Sequence, residues 1–181
     1  MFAKIKATLM IANVSMIILF SPAYAQDGVS VERGEWSHSS LTNLAVQESW
    51  GNDYEFLIQH KLTAYWEFNV AEIRGNKCHD IDGDDQTITD VGITPVFRWN
   101  GDRDTRFFSE IGIGANYMSA IFNNDNRVMG TRFQFGDHVG VGYKFENGIE
   151  ITLKFQHFSN GGIREPNPAV NFAIVKLAYS F

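Results

Sequence analysis

From residue 28 to the C-terminus the chain alternates apolar and polar side chains in run after run. That is the period of an extended strand, in which successive side chains face opposite sides. Eight such runs can be drawn, over 28–38, 41–50, 60–74, 87–99, 106–119, 132–145, 149–160 and 169–181. Four make the alternation plain. In the third, Leu62, Ala64, Trp66, Phe68 and Val70 oppose Lys61, Thr63, Glu67 and Asn69; in the fourth, Val91, Ile93, Pro95, Phe97 and Trp99 oppose Thr94 and Arg98. The fifth sets Phe107, Ile111, Ile113 and Tyr117 against Glu110, Gly112, Gly114 and Asn116. The sixth sets Phe133, Phe135, Val139, Val141, Tyr143 and Phe145 against Arg132, Gln134, His138 and Lys144. Several runs exceed the ~5–6 residues usual in globular sheets and approach the ~9–11 that cross a bilayer. Charges and glycines on one face, with bulky apolar residues on the other, is the pattern of a transmembrane barrel with a polar interior. A soluble barrel would turn the same faces the other way, and periodicity alone does not say which side is in.

The ends of the chain decide between them. Lys4 and Lys6 precede an apolar run from Ala7 to Phe20, and Ala23 and Ala25 then give a small-x-small pattern, so residues 1–25 read as a secretory signal peptide cut after Ala25. In the last run Ala173, Val175, Leu177, Tyr179 and Phe181 share one face, with Lys176 and Ser180 opposite. An amphipathic final strand ending in Phe resembles the C-terminal assembly signal of bacterial outer-membrane barrels; the plainer alternative is the last strand of a periplasmic sandwich. Residues 26–181 are expected to be one all-β domain, an eight-stranded antiparallel transmembrane β-barrel of the bacterial outer membrane. An even strand count puts both termini on the periplasmic side. The turns at Asn100-Gly101-Asp102 and Asn147-Gly148 then lie in the periplasm, and the polar connections 75–86, 120–131 and 161–168 lie outside.

Composition excludes more than it assigns. The formal charge is -6, and losing residues 1–25 removes two lysines and no acid, giving -8. A mildly acidic chain without a basic cluster gives no reason to expect nucleic acid, and none is expected as a partner. Cys78 is the only cysteine, so no internal disulfide forms. Asp80, Asp82, Asp84 and Asp85 echo part of a calcium loop, but the spacing is incomplete and no bidentate glutamate follows, so they read as a solvated outer loop. His38, His60, His79 and His138 lack an acid-and-nucleophile setting and read as loop or lumen residues. Trp36, Trp50, Trp66 and Trp99 read as interfacial girdle or lipid-face packing.

One stretch carries chemistry. The seventh run ends Phe155-Gln156-His157-Phe158-Ser159-Asn160-Gly161-Gly162, and Ile151, Leu153, Phe155, His157 and Ser159 share one face. An imidazole and a hydroxyl two residues apart on a strand are roughly 6.5 Å apart at the backbone. Their side chains can lean together as a base-activated nucleophile. Asn160, Gly161 and Gly162 follow at once and offer N–H donors suited to a developing oxyanion. A three-residue loop, Glu146-Asn147-Gly148 with Gly148 left-handed, pairs Tyr143 with Ile151, Val139 with Phe155 and Asp137 with His157. A two-residue loop would set Lys144 beside Ile151 and mix the faces. Asp137 is the one charge on an otherwise apolar outer face, costly against lipid unless it serves the imidazole. Counting strands places this group at the outer end of the seventh strand, on the lipid-facing wall, where it meets only lipid.

At these residues the chain resembles the PagL family of outer-membrane lipid A 3-O-deacylases, which are eight-stranded barrels. The resemblance lies mainly between Phe133 and Phe181: the glycine-rich stretch from Asp137 to Gly142, Asn147-Gly148, His157-Phe-Ser159-Asn160-x-Gly162, and Pro166-Asn167. It implies Ser159 as nucleophile, His157 as base and Asn160 as an oxyanion donor, with Asn167 near the site. The family's triad carboxylate falls on Asn171, which is not an acid here. An asparagine can still orient an imidazole through its side-chain oxygen, as in Cys-His-Asn enzymes. Asp137 and Glu165 are the other candidates to support the ring. The implied activity is ester hydrolysis of the 3-O-linked acyl chain of lipid A, which needs no metal or cofactor. The implied partners are lipid A or lipopolysaccharide and the outer membrane, with a homodimer left open. The rival reading is a structural or adhesive barrel in which the His-Ser pair is idle.

Overall fold

The computed structural model describes residues 27–51, 54–100 and 106–181. In chain order the elements are β1 (Gly28–Trp36), β2 (Ser39–Ser49), a short helix α1 (Glu55–Gln59), β3 (Leu62–Gly75), β4 (Gln86–Asn100), β5 (Phe107–Met118), the two-residue strands β6 (Asn123–Asn124) and β7 (Arg127–Val128), β8 (Phe133–Lys144), β9 (Ile149–Ser159) and β10 (Val170–Ser180). The eight long strands form one closed antiparallel barrel, β1-β10-β9-β8-β5-β4-β3-β2, and β6 pairs only with β7. All eight expected strands are present, each end within two residues of its expected position. The expected signal peptide lies outside the described residues, as do Gly101 and Asp102 of the β4–β5 turn.

Gly28 pairs with Ser180, so the start of β1 and the end of β10, the termini of the barrel, meet at one rim. β2, β4 and β8 end at that rim, and β3, β5 and β9 begin there. The opposite rim carries the 76–85 loop, the β6–β7 hairpin and the 160–169 loop, and β9 reaches it at Ser159.

Burial alternates cleanly along β5 and β9 and over much of the other long strands, and the inward positions are the polar ones over much of the barrel. Glu32, Glu67, Glu110, Glu150, Lys154 and Lys176 are all buried there. Each finds an opposite charge. Lys154 Nζ lies 2.8 Å from Glu32 Oε1, Lys176 contacts Glu67, and Arg98 forks between Glu110 and Glu150 at 2.9 Å each. Such pairs add little net stability because desolvation offsets their attraction, yet removing one partner is expensive. The space left is small: a Cβ on inward Gly142 would sit 2.2 Å from Cζ of Phe108.

Towards the rim remote from the termini the interior changes character. Leu41, Ile73, Ile88, Met118, Phe158 and Phe172 form an apolar cluster, completed by Phe122 and Met129 from either side of the β6–β7 hairpin. The expected polar interior is therefore only part of the lumen. This plug positions the site. Phe158 and Phe172 turn inward with ring centroids 6.1 Å apart, so their chain neighbours His157, Ser159 and Asn171 must face outward.

Across the middle of the barrel the outer face is apolar, with Ile113, Leu153 and Val175 exposed. At the rim of the termini Trp50 packs on Trp66 and Phe97, each at 5.3 Å between centroids. Trp36 instead meets Phe155 edge-on at 5.9 Å, two residues below His157 on the same outer face.

Candidate active site

The β8–β9 hairpin has the expected loop. Phe145 N–H donates to Ile149 O at 2.8 Å, and Gly148 takes a left-handed φ of 84°. The register that follows sets Asp137 opposite His157 and Phe135 opposite Ser159. On the other side, Asn171 of β10 lies directly across from His157. The imidazole is thus flanked by Asp137 and Asn171 on neighbouring strands, and all three side chains are half-buried on the outer face.

His157 Nδ1 lies 2.8 Å from Asn171 Oδ1. An amide oxygen only accepts, so Nδ1 carries the proton and the Nε2 lone pair is free. Ser159 occupies the next outward position on β9, half-buried and facing away from the lumen. No hydrogen bond joins its hydroxyl to the ring in this structure; such contacts commonly tighten only when substrate binds. Asp137 is in register with His157 but not bonded to it, and its Oδ1 is buried without a hydrogen-bond partner. Glu165 is exposed and accepts from Asn167 N–H at 3.1 Å, so it is not joined to the imidazole.

The loop after Ser159 is folded around Asn160, which is wholly buried. Its backbone N–H donates to Asn167 Oδ1 at 2.9 Å, its amide donates to Arg164 O at 2.6 Å, and its Oδ1 accepts from Gly162 N–H at 3.0 Å. The Asn160 and Gly162 donors therefore point into the loop. The Gly161 N–H has no hydrogen bond among the described residues, and both glycines have positive φ, 63° and 78°. Two supports carried no signal in the hydrophobic pattern. Arg127 donates to Ala169 O at 3.1 Å, and Gly130 presses its backbone against Arg164, where a Cβ would sit 2.5 Å from the carbonyl oxygen.

With this geometry in view, the likenesses to known proteins are direct. Residues 40–180 match the family model described as lipid A 3-O-deacylase (PagL). The chain is 46% identical over 88 residues to the lipid A deacylase PagL of Bordetella bronchiseptica, a match spanning 48% of this chain and about half, 46%, of that protein. It is 28% identical over 145 residues to the PagL of Pseudomonas aeruginosa, spanning 78% of this chain and 79% of the relative. The fold is similar to the crystal structure of the outer membrane enzyme PagL, with a TM-score of 0.71 at 22% identity over 85% of this chain and 99% of the other. Barrel, register and sequence converge, and the chain belongs to the lipid A 3-O-deacylase (PagL) family.

Proposed function

We propose that this outer-membrane barrel hydrolyses the ester of the 3-O-linked acyl chain of lipid A in the outer leaflet, with Ser159 as nucleophile and His157 as base. Family membership supports the reaction class. The observation that carries the assignment of roles is the ring of His157, held at Nδ1 by Asn171 and set beside Ser159 on the lipid-facing wall.

In this reading Ser159 Oγ attacks the ester carbonyl carbon and passes its proton to His157 Nε2. The tetrahedral oxyanion collapses, the C–O bond to the sugar breaks, and the imidazolium returns the proton to the leaving sugar oxygen. Water, deprotonated by the same nitrogen, then releases the acyl chain from Ser159 as a free fatty acid. Asn171 orients the ring but brings no charge to the imidazolium. Asp137, across the strand with a free buried oxygen, supplies that charge. The Gly161 N–H serves as oxyanion donor, while Asn160, Gly162 and Asn167 hold the loop that presents it. Glu165 braces the same loop through Asn167. None of these steps requires a metal.

Mass spectrometry of lipid A from cells making the wild type or Ser159→Ala tests the assignment. Loss of one hydroxy-acyl group with the wild type, and intact lipid A with the variant, is the expected result. Intact lipid A in both would favour a structural or adhesive barrel, and a mass gain on another acceptor would indicate acyl transfer instead.

A further inference from the structure

We propose that the outer loop 76–85 is a zinc site, with Cys78, His79 and Asp84 as its protein ligands. The loop lies in the β3–β4 connection, and the proposal does not depend on the deacylase reading.

Three donor atoms of different chemistry converge here. His79 Nδ1 lies 3.3 Å from Cys78 Sγ and 3.1 Å from Asp84 Oδ2, and all three donor atoms fall within 4.8 Å of one another. The same nitrogen faces both the sulfur and the carboxylate. A nucleophilic relay needs the two ring nitrogens to take opposite partners, so these residues cannot act as a Cys-His-Asp triad. Donors gathered around one point are instead the arrangement of a metal ligand set. Tetrahedral zinc, with bonds of about 2.0–2.3 Å, separates its ligand atoms by about 3.4–3.6 Å. Two of the three separations need to open by only a few tenths of an ångström.

The loop is shaped by contacts that do not involve the donor atoms. Cys78 N–H donates to Asp84 O at 2.8 Å, Ile81 N–H to Cys78 O at 3.0 Å, and Gly83 N–H to Asn76 O at 2.9 Å. Buried Asn124 of β6 accepts from Lys77 N–H at 2.7 Å and donates to His38 O and Ser39 Oγ, pinning the loop to the β1–β2 turn. Asp125 accepts from the Ser37 hydroxyl, and this bond, aided by Lys77, holds its carboxyl below the usual range. Lys77 faces Asp80 and Asp125, so its charge is already matched. His79 and Asp80 keep left-handed backbones, with φ of 52° and 62°, that place the imidazole over the thiol.

A thiol, an imidazole and a carboxylate together favour zinc over calcium or magnesium, which take oxygen ligands. The thiol is shielded while His79 and Asp84 reach solvent, leaving an entry path and a fourth position for water. Binding would displace the Cys78 thiol proton to solvent.

The test uses the full chain, untagged, reduced and metal-free, folded in detergent micelles. Cobalt should add one equivalent per barrel with a thiolate-to-metal charge-transfer band, and zinc should displace it. Cys78→Ser should abolish the band, and His79→Ala and Asp84→Asn should each weaken zinc binding at least tenfold, with Asp82→Asn unchanged. No stoichiometric uptake, uptake without a thiolate band, or zinc affinity indifferent to both Cys78→Ser and His79→Ala would overturn the proposal.

Discussion

His157 Nδ1 donates to Asn171 Oδ1 across the β9–β10 ladder at 2.8 Å, so a neutral amide stands where an acid could support the ring. Asn171→Asp keeps the acceptor at the same reach and adds a charge. It should raise kcat by about tenfold or more, with KM little changed, because the charge matters only once the imidazolium forms. Asn171→Ala frees the ring to take the wrong tautomer and should lower kcat by about 10²–10⁴. Initial rates of fatty acid release from lipid A in mixed micelles measure both.

Asp137 presents a buried carboxylate oxygen with no hydrogen-bond partner, on a face that meets lipid. Asp137→Asn should therefore cost activity without costing stability. The expectation is a kcat lower by about tenfold and unfolding that is unchanged or more difficult by up to about 1 kcal/mol. A variant equally active and less stable would show the acid to be structural.

The Asn160 loop separates site from scaffold. Asn160→Ala removes two side-chain bonds, to Arg164 and Gly162, outside the barrel ladder. Activity should fall by about 10²-fold, while the barrel transition shifts by less than about 1 kcal/mol. Gly161→Ala should act alike: its φ is 63° and its new Cβ would lie 3.0 Å from the Phe135 ring. Paired rate and unfolding measurements distinguish this from general destabilisation.

Lys176 is wholly buried between Glu67 and Glu32. Lys176→Met takes from Glu67 its closest cation, while Glu32 keeps Lys154, and should cost about 3–5 kcal/mol, part of which Glu67→Leu in the same chain restores. Urea unfolding in lipid vesicles reads the coupling.

How much of this was visible in the residues varies by element. The pairing of Asp137 with His157 was legible because Gly148 restricts the loop length and one length alone keeps the apolar faces together. The outward face of Asn171 followed from parity with Phe181. The plug did not follow, since Ile73, Ile88 and Phe172 are apolar positions on the polar parity, and near the outer rim the alternation reverses, with Glu72, Arg74, Thr87 and Thr89 on the outward parity. Helix α1 and the β6–β7 hairpin are shorter than the windows in which a period can be counted. Asn160 was legible as polar and near the site, but which acceptor its amide meets depends on how the loop closes on Arg164.

The aromatic pair Phe158 and Phe172 fills the lumen behind Ser159, so in the proposed reaction the acyl substrate reaches that wall from the membrane side. Encounter becomes a search in two dimensions, by lateral diffusion within a leaflet. Turnover should then follow the mole fraction of substrate in the surrounding film, and diluting that film with inert amphiphile should slow the reaction even when bulk concentration is held constant.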